Sequence, residues 1–242
     1  MMYNKHFIPL ESNPSLFTQL IHQLGVSSAL SFYDVWSLDD PGLLSLVPRP
    51  VLALIIVYPT PGNYEDCLAK ENDLAVNDAP HGENEDVTWF KQTINNACGL
   101  YATLHAVANG RARDFIVPGS HLFHFLQRCA ALDPADCAVV LEGDRELESM
   151  YNSVAVLGDT MAPENPEDEV DFHYVCFVKS YRGSNLFILD GDRHGPVDKG
   201  LLTEDDLLSK QGIEAIKEFI DQHDNGGSFS LLALAPSSDD QI

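Results

Sequence analysis

Across 242 residues the chain carries 37 Asp and Glu against 14 Lys and Arg, a formal charge of −23. A surface this acidic repels nucleic acid and anionic membranes and attracts a basic partner. Hydrophobic residues make up 45%, and no apolar run approaches the roughly 20 residues of a bilayer-spanning helix, so the composition is that of a globular protein, long enough for one large domain or two small ones and for a sizeable core.

The cysteines, at positions 67, 98, 129, 137 and 176, are odd in number and show no paired spacing. No His lies at metal-ligand spacing from Cys129 and Cys137, so no zinc site is expected. The start, Met1 to His6, lacks the apolar stretch of a signal peptide. Reduced intracellular thiols are expected, in the cytoplasm and also in the nucleus.

In chain order, Ser12 or Asn13 can cap a helix with Pro14 at its first position. Leu16, Phe17, Leu20, Ile21 and Leu24 recur at helical spacing and Gly25 ends the run. Ser31 to Trp36 alternates as a short strand. Asp39-Asp40-Pro41 opens a helical turn that Val47-Pro48-Arg49-Pro50 breaks. Val51 to Pro59 is unbroken apolar sequence, expected as a strand buried on both faces. A short helix over Tyr64 to Lys70 and then an aperiodic acidic loop are expected within residues 60–88.

Lys91-Gln92-Thr93-Ile94-Asn95-Asn96-Ala97-Cys98-Gly99-Leu100 then leads from a polar loop into a helical run through Asn109. Either Asn can cap the first turn, which sets Cys98 at the helix N-terminus. Backbone N–H groups and the helix dipole there favour a thiolate, the form that attacks carbonyls. Gln92, six residues upstream, can fold back and donate its amide to an oxyanion. A cysteine at a helix start is also commonly a small buried hydrophobe, and spacing alone leaves both readings open.

Ser120 caps a helix carrying Leu122, Phe123, Phe125, Leu126 and Cys129. Asp133-Pro134 starts another, expected to continue towards Tyr151. Residues 157–169 are acidic, Pro-bearing and aperiodic. Val170 to Val178 and Asn185 to Asp190 read as two strands of a hairpin turning near Tyr181-Arg182. Paired numbers then sum to about 363, as those of His173 and Asp190 do, which sets the two side by side. An Asp beside an imidazole fixes its tautomer and stabilises the imidazolium, as a Cys–His pair requires. His105 is seven residues after Cys98, roughly 10 Å along the same helix and out of reach. His194 is a weaker rival. Thr203 to Asp206 is expected to cap a last helix through Ile220, followed by a strand over Ser228 to Leu234 and a polar tail.

These stretches resemble the ubiquitin C-terminal hydrolases, the papain-like cysteine peptidases of family C12, in their short single-domain form. The run from Lys91 to Gly99, leading into His105-Ala106-Val107-Ala108-Asn109, resembles the active-site signature. Pro9-Leu10-Glu11 with Asn13-Pro14 resembles the family's opening. Phe172-His173-Tyr174 followed by Leu189-Asp190-Gly191 resembles its His and Asp motifs. One departure is Asp192, an extra residue between Gly191 and Arg193, which is not expected to disturb the site.

The resemblance implies an α+β domain over residues 1–235, a central antiparallel sheet flanked by helices, with a short polar tail at 236–242. It implies a triad of Cys98, His173 and Asp190 with Gln92 as oxyanion donor, and Leu10, Glu11, Asp34 and Phe229 as contacts to ubiquitin. Residues 157–169 match the family's crossover loop, which arches over the active site and admits only narrow leaving groups. No metal or cofactor is needed. A monomer acting on ubiquitin is expected, with a hydrolase for NEDD8 or a non-catalytic ubiquitin-binding protein as alternatives. Ubiquitin's basic face and Arg-containing tail would give the acidic charge a purpose.

Overall fold

A computed structural model describes residues 3, 5–60, 68, 87–160, 163, 165, 168, 170–223 and 229–238. The acidic loop expected ahead of Cys98 lies almost wholly outside these residues, as do parts of 157–169 and the end of the tail. The elements in order are α1 (Pro14–Leu24), β1 (Leu30–Asp34), α2 (Pro41–Leu44), β2 (Ala53–Pro59), α3 (Cys98–Ala108), α4 (His121–Cys129), α5 (Pro134–Glu142) and α6 (Arg145–Ala155). Then come β3 (Phe172–Lys179), β4 (Asn185–Leu189), β5 (Val197–Leu201), α7 (Lys210–His223) and β6 (Ser230–Pro236), with a 3₁₀ turn over Gly110–Phe115.

The strands form one sheet in the order β1-β6-β2-β3-β4-β5, every pair antiparallel. Its central strands are covered on both faces, which explains their unbroken apolar sequence. Ala53, Ile55 and Val57 of β2 face a core shared with α1, α3, α4 and α6. Leu54, Ile56 and Tyr58 face a second core under α7. The helix α3 is buried at every residue and packs on β2 and β3, so its first residue is held at a fixed height above the sheet.

Local signals set α1 as expected. Asn13 Oδ1 accepts the Ser15 N–H, and Gly25 closes the helix at φ +102°. A Cβ at Gly25 would sit 2.1 Å from Ser120 Cβ, so both the conformation and the space require glycine.

Three boundaries differ from expectation. The helix begun at Pro134 stops at Glu142, because Asp144 caps a new one by accepting the Leu147 N–H and also binds Arg128 and His121. The final helix starts at Lys210, not after Thr203. Asp206 does not cap it; its carboxylate takes Arg49 Nε at 2.6 Å and the Val51 N–H at 3.1 Å. The hairpin pairs Cys176 with Leu189 and Phe177 with Ile188, numbers that sum to 365 and not 363. The turn centre is therefore one residue later than the sequence suggests. Asp190 follows the strand and is not His173's cross-strand partner.

Candidate active site

The chain enters α3 through Asn96 at φ +58°, a left-handed conformation that a short polar residue tolerates. Neither Asn caps the helix. Asn95 is tied by its backbone to Lys5 and Phe7, while Asn96 Nδ2 donates to the Asp168 carbonyl at 2.9 Å. The N-cap is Ala97 and, among the described residues, no side chain caps the helix, so its positive end is left to Cys98.

Cys98 is buried next to His173, the second residue of β3, on the strand against which α3 packs. His173 Nε2 lies 2.7 Å from Asp190 Oδ1, both side chains enclosed. Burial alone would push the His173 imidazole down. The negative charges of Asp190 and Asp192 and the bonds to Asp190 and Cys98 outweigh it and hold the imidazole well above its ordinary range. Burial likewise opposes the Asp190 carboxylate, but His173, Arg193 and the Asp192 N–H keep it below the usual range. Trp89 Nε1 donates to the Asp190 carbonyl at 2.8 Å and fixes the loop from the other side.

Gln92 reaches the site by backbone pairing with that same loop. Its N–H donates to the Gly191 carbonyl at 2.8 Å, and a Cβ on Gly191 would lie 2.7 Å from Gln92 Cβ. The Gln92 side chain is buried and its Oε1 has no partner among the described residues. The structure thus sets His173 against Asp190 and next to Cys98, and Gln92 against the loop that carries Asp190. His105 stands apart: its Nε2 accepts the Phe90 N–H at 3.0 Å, and complete burial pushes its pKa down to about 4.

The four expected contact residues are placed differently from one another. Leu10 is buried against Gly99, so its side chain is withdrawn from the surface and belongs to the core. Glu11 Oε2 accepts the Thr160 N–H at 2.7 Å, a bond that holds its carboxyl below the usual range. It therefore tethers the start of segment 157–169, as Asn96 tethers its far part at Asp168. Asp34 ends β1 half-buried, its carboxyl raised by that burial. Phe229 packs partly against the second core.

Among the described residues, the grouping of donor atoms that could hold a metal is His173, Asp190 and Asp192. Nε2 of that imidazole is already committed to Asp190. Asp192 and Trp89 are the members of the site that sequence reasoning missed. Trp89 carried no signal, and Asp192 was visible as a departure from the family motif, brought to the imidazole by the turn that follows β4.

A cysteine heading a buried helix, an imidazole on the facing strand and a carboxylate just beyond the next strand form the arrangement of a papain-like thiol hydrolase. The chain belongs to the family described as ubiquitin carboxyl-terminal hydrolase, family 1, which it matches over residues 7–221. It is 33% identical over 233 residues to ubiquitin carboxyl-terminal hydrolase 3 of Arabidopsis thaliana, covering 96% of this chain and 95% of that one. Against the ubiquitin carboxyl-terminal hydrolase of Drosophila melanogaster it is 34% identical over 226 residues, covering 93% and 96%. The UCH37 catalytic domain of Trichinella spiralis, bound to ubiquitin vinyl methyl ester, shares the fold with a TM-score of 0.73 at 24% identity, covering 98% of each chain.

Proposed function

We propose that this protein is a thiol hydrolase that releases small adducts or short peptides from the C-terminal glycine of ubiquitin. The observation that carries the reading is one buried imidazole, His173, bonded to Asp190 and set next to Cys98 at the head of α3. His173 takes the Cys98 proton and leaves a thiolate–imidazolium pair. The thiolate attacks the glycine carbonyl carbon while the Gln92 amide and the Cys98 backbone N–H hold the oxyanion. As the C–N bond breaks, His173 returns the proton to the leaving amine, and a thioester remains. Water, deprotonated by His173, then attacks the thioester, freeing the ubiquitin carboxylate and regenerating the thiol. Asp190 keeps the Nε2–H oriented throughout.

The family match, and relatives named as ubiquitin hydrolases at about one-third identity over nearly their whole length, support this substrate. The charge of −23 supports a basic partner and neither nucleic acid nor an anionic membrane. Segment 157–169, tethered at Glu11 and Asn96, supports a loop that arches over Cys98 and limits the leaving group to narrow ones. The protein acts as a monomer in the cytoplasm and the nucleus.

The test is hydrolysis of a fluorogenic ubiquitin C-terminal amide and its NEDD8 counterpart, with ubiquitin binding measured in parallel. Wild type should cleave the ubiquitin amide, and Cys98→Ala should bind ubiquitin with turnover lowered by about 10³-fold or more. Binding without cleavage by wild type would make the protein a ubiquitin-binding module. Preferential cleavage of the NEDD8 amide would move the activity to that modifier.

A further inference from the structure

An imidazole has two nitrogens, and in this protein each has its own carboxylate. Asp190 Oδ1 holds Nε2 at 2.7 Å. Asp192 Oδ2 lies 3.6 Å from Nδ1, the nitrogen left for Cys98 once Nε2 is committed. The pairing of β3 with β4 stops at Cys176 and Leu189, and the chain then turns immediately after Asp190. The turn is closed by backbone: the Asp192 N–H donates to Asp190 Oδ1 at 3.0 Å and the Arg193 N–H to the Asp190 carbonyl at 3.3 Å. The Asp192 side chain is consequently held against the imidazole, with only 13% of it exposed.

We propose that Asp192 is a second positioning carboxylate, which sets the charge at the Nδ1 face of His173 and thereby the pH range over which Cys98 and His173 exist as thiolate and imidazolium. The proposal rests on the assignment of Cys98 and His173 as nucleophile and base. A negative charge beside Nδ1 favours the imidazolium, so the pair survives to higher pH. The same charge opposes the thiolate next to it, so the pair also forms at higher pH. Asp192 therefore displaces the whole active window upward without widening it.

The other groups facing this pair leave that sign unchanged. Arg193 Nε lies 3.5 Å from Asp190 Oδ2, on the far side of the ring. Tyr58 of β2 meets His173 edge-on at 6.0 Å, with His223 of α7 behind it at 5.3 Å from Tyr58. Tyr151 and Tyr174, near Cys98, are pushed up by burial and stay neutral. His105, on α3, is pushed down and is uncharged near neutral pH. Among the described residues the negative charge against the imidazole comes from Asp190 and Asp192.

Asp192→Asn removes the charge and keeps the backbone N–H that closes the turn. The first readout is the rate of Cys98 alkylation by iodoacetamide against pH, followed by mass spectrometry on the Cys98 peptide so that other thiols do not contribute. The second is kcat/KM against pH with the ubiquitin amide. In Asp192→Asn both limbs of the bell, and the alkylation profile, should move to lower pH by about one unit. Asp192→Glu should return them towards wild type. A folded Asp192→Asn whose profiles match wild type overturns the proposal, as does a variant that loses thermal stability while both limbs stay in place. Should Asp192→Asn fail to fold, Asp192→Ser removes the same charge and the same profiles decide. Absence of ubiquitin cleavage by wild type counts against the substrate reading only, because the alkylation profile still decides the role of Asp192.

Discussion

Asp190 engages three groups at once: the His173 ring, the Asp192 N–H and the Arg193 guanidinium. An amide in its place would offer His173 Nε2 a donor where an acceptor is needed, and the ring would turn to the wrong tautomer. Asp190→Asn should lower kcat by about 10²–10⁴-fold with KM little changed, read from steady-state hydrolysis of the ubiquitin amide. Loss confined to KM would remove Asp190 from the chemistry. His105 makes the contrasting case, a histidine kept neutral by the core. Its folded value of about 4 lies below the unfolded value near 6.5. As pH falls through that window the unfolded chain takes up a proton that the folded protein refuses. Its contribution is complete above about pH 6.5 and is lost towards pH 4, a loss on the order of 3 kcal/mol. His173 has the opposite sign, being raised, so only a difference experiment isolates His105. Urea unfolding of wild type and His105→Gln at pH 7 and near the folded value should show the variant losing less stability on acidification; parallel losses would reject the assignment.

At the level of elements, the site depends on a contact between two loops, and Gly191 is where they meet. A methyl there would lie 2.7 Å from Gln92 Cβ and 3.2 Å from the Gln92 nitrogen. Neither backbone can yield without moving the oxyanion segment or Asp190. Gly191→Ala should cost about 1–3 kcal/mol of stability and lower kcat about tenfold or more. Thermal unfolding and steady-state rates read the two, and an unchanged kcat would show that the loops adjust independently. This contact also marks where the sequence stopped being legible. The start of α1, the apolar strand β2 and the placement of Cys98 at a helix head all follow from caps and periodicity within a dozen residues. The actual entry to α3 does not, because Asn96 reaches Asp168, 72 positions away. The start of α7 was hidden for the same reason: Asp206 looks like a cap but binds Arg49 and Val51, more than 150 positions earlier. The hairpin register depends on a turn whose length no residue pattern states, and Asp192 is brought to His173 by a further turn after β4 that no periodicity marks. β5 alternates too weakly to be seen, its residues being mostly exposed or half-exposed.

For the whole molecule, two properties act on the same substrate in different ways. The sheet, with a core on each face, packs the helix that Cys98 heads against the strand that carries His173. The charge of −23 acts at long range, on encounter and not on the bond that breaks. A basic substrate approaching this field gains in association rate, and salt removes the gain as the Debye length shrinks from roughly 30 Å at 0.01 M to 3 Å at 1 M. Raising salt across that range should lower kcat/KM for the ubiquitin amide about tenfold or more and leave kcat nearly level. Alkylation of Cys98 by neutral iodoacetamide is the control: its rate should hardly move, since an uncharged reagent is not steered. If kcat/KM stays flat while the protein remains folded, the acidic surface serves solubility and recognition of the substrate is short-range. If kcat falls together with the alkylation rate, salt acts inside the Cys98–His173 pair, and the enclosure that isolates it from solvent is incomplete.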